Sequence, residues 1–281
     1  MNLADINTLK SLLSKEGFSF KKSLGQNFLI DETVCPKMAE NSCNENTGVL
    51  EIGPGVGVLT RELSKRAKKV VAIELDERLK KILPKTLGDL ENVEVIFGDA
   101  MKLDLRKIIE EHFEGCESVS VCANLPYYIT SPIIMVLLES KLPITSITVM
   151  VQKEAAERLC AKVGSRDAGA VTVAVTYYAE KEILFTVDRS SFMPPPNVDS
   201  AVIKLNIRPE PPIMVSDEKR FFSLVKSAFA QRRKTLVNTV CNTQNIPKEK
   251  LRNILAALGI KETVRGEELT IEQLAQISEM L

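Results

Sequence analysis

Val49-Leu50-Glu51-Ile52-Gly53-Pro54-Gly55-Val56-Gly57-Val58-Leu59-Thr60 reads as a strand that runs into a glycine turn and then into a helix. Glycines at such a turn let the backbone approach a ligand at the start of the helix, as in dinucleotide-binding folds. The spacing here is G-x-G-x-G with Glu51 ahead of it, not the G-x-G-x-x-G of a pyrophosphate binder. Pro54 also removes one N–H that a pyrophosphate cradle would use. The stretch therefore favours a nucleoside ligand without a diphosphate, S-adenosylmethionine, over NAD or FAD.

Downstream, Val70-Val71-Ala72-Ile73 forms a second strand that ends in Glu74. This carboxylate falls about 20 residues past the glycine turn, where it can take both hydroxyls of a ribose. Val93 to Phe97 makes a third strand, followed by Gly98-Asp99-Ala100. Asp99 can accept from an adenine amine; equally, it can cap a helix starting near Leu103. Upstream, Leu3, Ile6, Leu9, Leu12 and Leu13 recur as on an amphipathic helix ending near Gly17. The basic segment from Lys21 through Gly25, Gln26, Asn27, Phe28 and Leu29 suits a loop folded over a ligand, or a plain connection. A helix over Asp31 to Ala39 follows, with Asp31 as its cap signal.

The apolar run Val119 to Ala123 ends in Asn124-Leu125-Pro126-Tyr127-Tyr128. In an open α/β sheet, ligands bind just beyond the carboxyl ends of strands. The side-chain oxygen of Asn124 can accept one N–H of an exocyclic nucleobase amine. The carbonyl of Leu125, freed from the ladder by Pro126, can accept the other. Tyr127 offers a flat face for the base. A strand ending in a proline turn with core tyrosines is the alternative. Gly53, Glu74, Asp99 and Asn124 each follow a strand at its carboxyl end, and that coincidence weighs for a ligand site.

Beyond the pentapeptide, Ile129 to Leu138 reads as a helix and Ile147 to Val151 as a strand leading into a helix that reaches about Lys162. Val171 to Tyr178, Ile183 to Val187 and Ser200 to Ile207 read as further strands. Three prolines stiffen the loop Ser191-Phe192-Met193-Pro194-Pro195-Pro196-Asn197-Val198-Asp199. Phe192 is then either a wall facing Tyr127 across a flipped base or simply a buried ring under a surface loop. Arg208-Pro209-Glu210-Pro211-Pro212 punctuates the chain, and everything after it is helical. Two domains are expected, 1–208 and 209–281.

Lys plus Arg number 37 and Asp plus Glu 37, so the formal net charge is +0. This balance argues against indiscriminate binding of nucleic acid, and such contact must rest on local patches. Candidates are Lys10, Lys15, Lys21 and Lys22, then Lys153, Arg158, Lys162 and Arg166, then Arg232, Arg233 and Lys234. Each run taken alone reads first as a solvated face. The cysteines are scattered without a C-x-x-C, and His112 is the one histidine, so neither a disulfide framework nor a metal site is expected. No apolar run approaches a membrane span and no signal-peptide core opens the chain, so a cytoplasmic location is expected.

These motifs, in this order, resemble the rRNA adenine dimethyltransferases, most closely their bacterial small-subunit branch. Leu24-Gly25-Gln26-Asn27-Phe28-Leu29, Glu51-Ile52-Gly53-Pro54-Gly55, Ile73-Glu74-Leu75-Asp76, Gly98-Asp99-Ala100 and Asn124-Leu125-Pro126-Tyr127 carry the first half of the match. Gln152-Lys153-Glu154, Phe192-Met193-Pro194-Pro195-Pro196 with Val198-Asp199-Ser200, and Gln231-Arg232-Arg233-Lys234-Thr235 carry the rest.

The resemblance implies a class I S-adenosylmethionine-dependent methyltransferase: an α/β, Rossmann-like seven-stranded sheet with a small all-α C-terminal domain that binds rRNA. It implies that Asn27, Leu29, Gly53, Glu74, Asp99 and Asn124 line the cofactor pocket. Asn124, Leu125, Pro126, Tyr127 and Phe192 would hold and stack the target adenine. The implied substrate is a pair of adjacent adenosines in the 3′-terminal hairpin of 16S rRNA, dimethylated by a monomeric enzyme on the immature small ribosomal subunit. Three other readings compete. One is a large-subunit rRNA methyltransferase conferring macrolide resistance, and another is a non-catalytic assembly factor. The third, a nicotinamide-dependent oxidoreductase, is disfavoured by Pro54 and by the lack of a relay histidine or Tyr-x-x-x-Lys pair near the site.

Overall fold

A computed structural model describes residues 3, 5–18 and 28–281. Its strands are β1 (Phe28–Leu29), β2 (Thr47–Ile52), β3 (Lys69–Glu74), β4 (Val93–Phe97), β5 (Ser118–Asn124), β6 (Ser146–Gln152), β7 (Ala179–Val187), β8 (Phe192–Met193) and β9 (Ser200–Ile207). Its longer helices begin with α1 (Ile6–Lys15), α2 (Val34–Ser42), α3 (Val58–Ser64), α4 (Leu83–Leu87), α5 (Leu105–His112) and α6 (Tyr127–Glu139). They continue with α7 (Lys153–Cys160), α8 (Ala170–Tyr178), α9 (Glu218–Ala228), α10 (Leu236–Gln244), α11 (Lys248–Ala257) and α12 (Ile271–Met280).

Seven strands form one sheet in the order β4-β3-β2-β5-β6-β9-β7, and the architecture is α/β as expected. The strands from β4 to β6 pair in parallel, whereas β9 runs antiparallel to β6. Every residue of β2 is buried, and the near-continuous apolar runs suit strands covered on both faces. Residues alternate between the faces. On one face, Val49, Val70, Cys122 and Met150 pack under Val34, Met38, Leu59 and Leu63 of α2 and α3. Chain order leaves β2 towards β3 on one side and returns to β5 on the other. Such a switch point opens a crevice at the carboxyl ends of the strands.

Contacts divide the chain into two compact units, residues 1–156 with 182–207, and residues 157–181 with 208–281. The first carries the parallel strands. In the second, Val173 and Tyr177 of α8 share a buried cluster with Phe221, Leu224, Val240, Leu251 and Leu274. Residues 157–181 thus pack with the helices after 208, although the sequence reading placed them before the boundary.

The same segment corrects the strand expected over Val171 to Tyr178, which is helix α8. Its β-branched and aromatic residues favour a strand by propensity, but burial decides otherwise. Val173 and Tyr177, four residues apart, face the helical cluster, and Thr172 Oγ1 accepts the Gly169 N–H at 2.8 Å to close the first turn. Asp31 does not cap α2. Its Oδ1 takes the Thr33 N–H at 2.9 Å in the turn before the helix, and its Oδ2 accepts from Ser191 Oγ at 3.0 Å. No described helix is long and apolar enough to cross a membrane.

Gly57 precedes α3 with φ 93, and a Cβ there would lie 2.6 Å from Leu87 Cδ2. Gly57→Ala therefore combines a left-handed backbone penalty with overpacking. It should lower the unfolding free energy by about 2–4 kcal/mol, read from the urea midpoint. An unchanged midpoint would show that Leu87 turns aside freely.

Candidate active site

The glycine turn and the ends of β3, β4 and β5 enclose a cavity of about 300 Å³. Gly53 and Gly55 have φ 73 and 58, so the chain turns sharply out of β2. The Gly53 N–H reaches back to the Ile73 carbonyl at 2.9 Å. The Gly55 N–H donates to Glu74 Oε2 at 3.1 Å, and the Asp76 N–H donates to Glu74 Oε1 at 2.6 Å. Each Glu74 oxygen thus holds one backbone donor and keeps further acceptor capacity for ligand hydroxyls. Burial raises the Glu74 pKa, and the N–H groups of Asp76 and Gly55 counter part of that rise.

Glu51 also lines the cavity, although sequence reasoning noted it only as the acid ahead of the glycines. It is 1% exposed, and its register partner across the sheet is Cys122. Burial pushes its pKa up to about 8; the nearby Thr60 hydroxyl opposes this and the Glu74 carboxylate adds to it. Neither Glu51 Oε2 nor Thr60 Oγ1 completes a hydrogen bond of good geometry with any described residue. A buried acceptor left open at a cavity wall suits a ligand that brings its own donors.

At the end of β5, the Asn124 amide makes no hydrogen bond to any described residue, and neither does the Leu125 carbonyl. Pro126 forms the entry to α6, and its own carbonyl accepts from the Ile129 N–H and Thr130 Oγ1, both at 3.1 Å. Tyr127 is half-buried, with its hydroxyl 2.8 Å from Ser200 Oγ at the start of β9. That contact holds the ring against the cavity. Burial raises the Tyr127 pKa, and the Ser200 bond opposes the shift.

Phe192 is 4% exposed and lines the same cavity. It belongs to β8, which pairs antiparallel with β1 so that Leu29 stands opposite Phe192 and Phe28 opposite Met193. The Ile30 N–H extends this contact to the Ser191 carbonyl at 2.8 Å. Two distant stretches thus form one wall.

Asp99 lines the cavity, where its Oδ1 accepts the Met101 N–H at 3.0 Å. It caps no helix: α5 begins at Leu105 with Asp104 as its cap. The cavity brings together Leu29, Gly53, Glu74 and Asp99 with Asn124, Leu125, Pro126, Tyr127 and Phe192. Asn27 lies outside the described residues. Leu75, Met101 and Tyr128 line the cavity as well. Their signal was position, since each closely follows a strand-end residue already singled out. Among the described residues, no three His, Cys, Asp or Glu side chains converge as a metal site. The carboxyl oxygens of Glu74, Asp99 and Glu51 give this cavity a wall of acceptors, a composition that fits a ligand rich in hydroxyl and amine donors, as a nucleoside is.

The model of the ribosomal RNA adenine dimethylase family matches residues 17–281. A protein of Bacillus mycoides named ribosomal RNA small subunit methyltransferase A is 49% identical over 100% of this chain and 97% of its own length. A protein of the same name from Geobacillus thermodenitrificans is also 49% identical, with the same coverage. Among solved structures, a dimethyladenosine transferase from Plasmodium falciparum superposes with TM-score 0.72 at 28% identity, covering 89% of this chain and 95% of that one. The 23S rRNA methyltransferase ErmE superposes with TM-score 0.67 at 30% identity, covering 91% and 99%.

The raised Glu51 pKa sets a pH dependence of stability. Its folded value of about 8 lies above the 4.5 of a free glutamate side chain, so its contribution is complete below about pH 4.5 and is lost as pH rises from there through 8. Full loss amounts to a figure on the order of 5 kcal/mol. Glu51→Gln should flatten urea-unfolding stability between pH 5 and pH 9. Matching profiles for the two proteins would show that Glu51 is not the group responsible.

Proposed function

The chain belongs to the ribosomal RNA adenine dimethylase family, and from that premise we propose that it transfers methyl groups from S-adenosylmethionine to adenosine amines of small-subunit (16S) rRNA. The reading extends to two adjacent adenosines in the 3′-terminal hairpin, dimethylated late in assembly by a cytoplasmic monomer. The observation that carries it is the pair of open acceptors at the end of β5, set beside two aromatic rings in one cavity.

Asn124 Oδ1 accepts one N–H of the exocyclic amine and the Leu125 carbonyl accepts the other. With both protons held, the direction of the nitrogen lone pair is fixed, and positioning supplies most of the rate. Pro126 keeps the Leu125 carbonyl out of the helix ladder. Tyr127 and Phe192 provide faces for the adenine ring, each stacked contact being worth roughly 1–3 kcal/mol. Asn27 and Leu29, Gly53, Glu74, Asp99 and Asn124 are assigned to the cofactor pocket. S-adenosylmethionine, when bound there, supplies a methyl group on a sulfonium sulfur. No strong base is required, because the methylated amine is acidic enough to lose its proton.

The helical unit is assigned to rRNA binding. Gln231 to Lys234 form an exposed turn, in which Arg232 donates to the Arg166 carbonyl. This contact brings the Arg166 end of one basic run onto the same unit as Arg232, Arg233 and Lys234, which supports a patch rather than isolated solvated charges.

Labelled S-adenosylmethionine and small subunits lacking the modification should yield dimethyladenosine on nucleoside mass analysis. Label confined to large-subunit RNA would favour the resistance-enzyme reading instead. Asn124→Ala should abolish transfer while calorimetry still detects cofactor binding; undiminished turnover would remove Asn124 from its role. Replacing Arg232, Arg233 and Lys234 by Ala should weaken subunit binding and reduce its salt slope by up to about 3. An unchanged slope would place the RNA contact elsewhere.

A further inference from the structure

Leu75, Met101 and Tyr128 remain 52%, 43% and 58% exposed although all three line the cavity. Leu75 follows Glu74, and Met101 stands two residues after Asp99, so both belong to the side where β3 and β4 end. Tyr128 is separate from them, at the second residue of α6. Its neighbour Tyr127 is half-buried and held by Ser200. The Tyr128 hydroxyl makes no hydrogen bond to any described residue. Consecutive residues of an α-helix point about 100° apart, so Tyr128 cannot share the wall formed by Tyr127. It stands at the rim of the cavity as an unsatisfied flat face.

Single exposed apolar side chains are ordinary, and exposure alone assigns nothing. Position at this rim does. A base drawn into the cavity loses its stack and leaves its neighbour on the strand unstacked at the mouth. Aromatic rings are the side chains that replace such stacking in single-stranded RNA. We propose that Tyr128 is a substrate-positioning residue on which the nucleotide next to the target adenosine stacks while the target amine is held at Asn124. This rests on the reading of the substrate as adjacent rRNA adenosines. When the two adenosines exchange places, the ring receives whichever of them is outside.

The test compares wild type, Tyr128→Ala and Tyr128→Phe on small subunits lacking the modification, with cofactor binding followed separately by calorimetry. Tyr128→Ala should lower kcat/KM for the subunit by about 5- to 150-fold, the range of one lost base stack, with cofactor affinity unchanged. Tyr128→Phe, which keeps the ring and loses only the hydroxyl, should restore most of that loss. On subunits whose neighbouring adenosine is replaced by uridine, the gap between wild type and Tyr128→Ala should shrink, because the two changes remove the same contact. Equal kcat/KM for wild type and Tyr128→Ala overturns the proposal. So does a gap that persists undiminished on the uridine subunit, or a loss of cofactor affinity that accounts for the defect. If wild type itself methylates no small-subunit adenosine, the functional reading fails before the variants are compared, and the proposal falls with it.

Discussion

The double pairing of β2 is the constraint on which the site depends. Ile52 stands opposite Ile73 on β3 and opposite Ala123 on β5, so all three strands end at the same level. Each next stretch of chain, beginning at Gly53, Glu74 and Asn124, is therefore delivered to one edge of the sheet. A one-residue slip in either pairing would turn the side chains of a strand to the opposite face and take Asn124 or Glu74 out of the cavity. Register here is held by burial, since β2 has no solvent-exposed face to lose. The same pairing opens the crevice, because the chain leaves β2 towards β3 on one side and later returns to pair β5 on the other.

Two of the carboxyl groups in that crevice, Glu74 and Glu51, sit under different terms. Glu74 is buried, but backbone donors from Gly55 and Asp76 satisfy one site on each of its oxygens. Glu51 lies under the α2–α3 layer beside Cys35 and Cys122 and has no such donors. Burial without partners keeps it protonated near neutral pH, which costs less than an unpaired buried charge. Both thiols are pushed up by the same surroundings, so that layer carries no ionised sulfur at neutral pH. The cavity is thus acidic in composition yet holds less negative charge than its residues suggest.

One wall of the cavity comes from chain segments about 160 residues apart, joined by the Asp31–Ser191 hydrogen bond. Two-residue strands β1 and β8 would not hold alone, since short isolated pairs are marginal in water. Here the pair is anchored by burial of Leu29 and Phe192 in the core beneath α2 and by the Asp31–Ser191 bond. Phe192 is consequently a buried core residue that also lines the cavity, so its burial does not by itself remove it from the cavity wall.

Much of this was legible in the chain before any coordinates. The glycine turn, the acids ending two strands and the Asn-Leu-Pro-Tyr break are local patterns, and each specifies its own backbone geometry. Ser200 to Ile207 stood out by alternation, with Lys204 and Asn206 set between apolar neighbours. What only tertiary structure decided were outcomes that depend on distant partners. Val171 to Tyr178 carries strand-like residues, but the helical cluster around Phe221 buries one side of it at four-residue spacing and makes it a helix. Asp99 could read as a ligand acceptor or a helix cap, and the capping reading falls because Asp104 takes the cap. Glu51 looked like a motif position and became a buried acid, because only the folded α2–α3 layer removes its water. Composition and spacing determine what a segment can be, and packing determines which of those possibilities survives, since burial energy accrues only when remote segments meet.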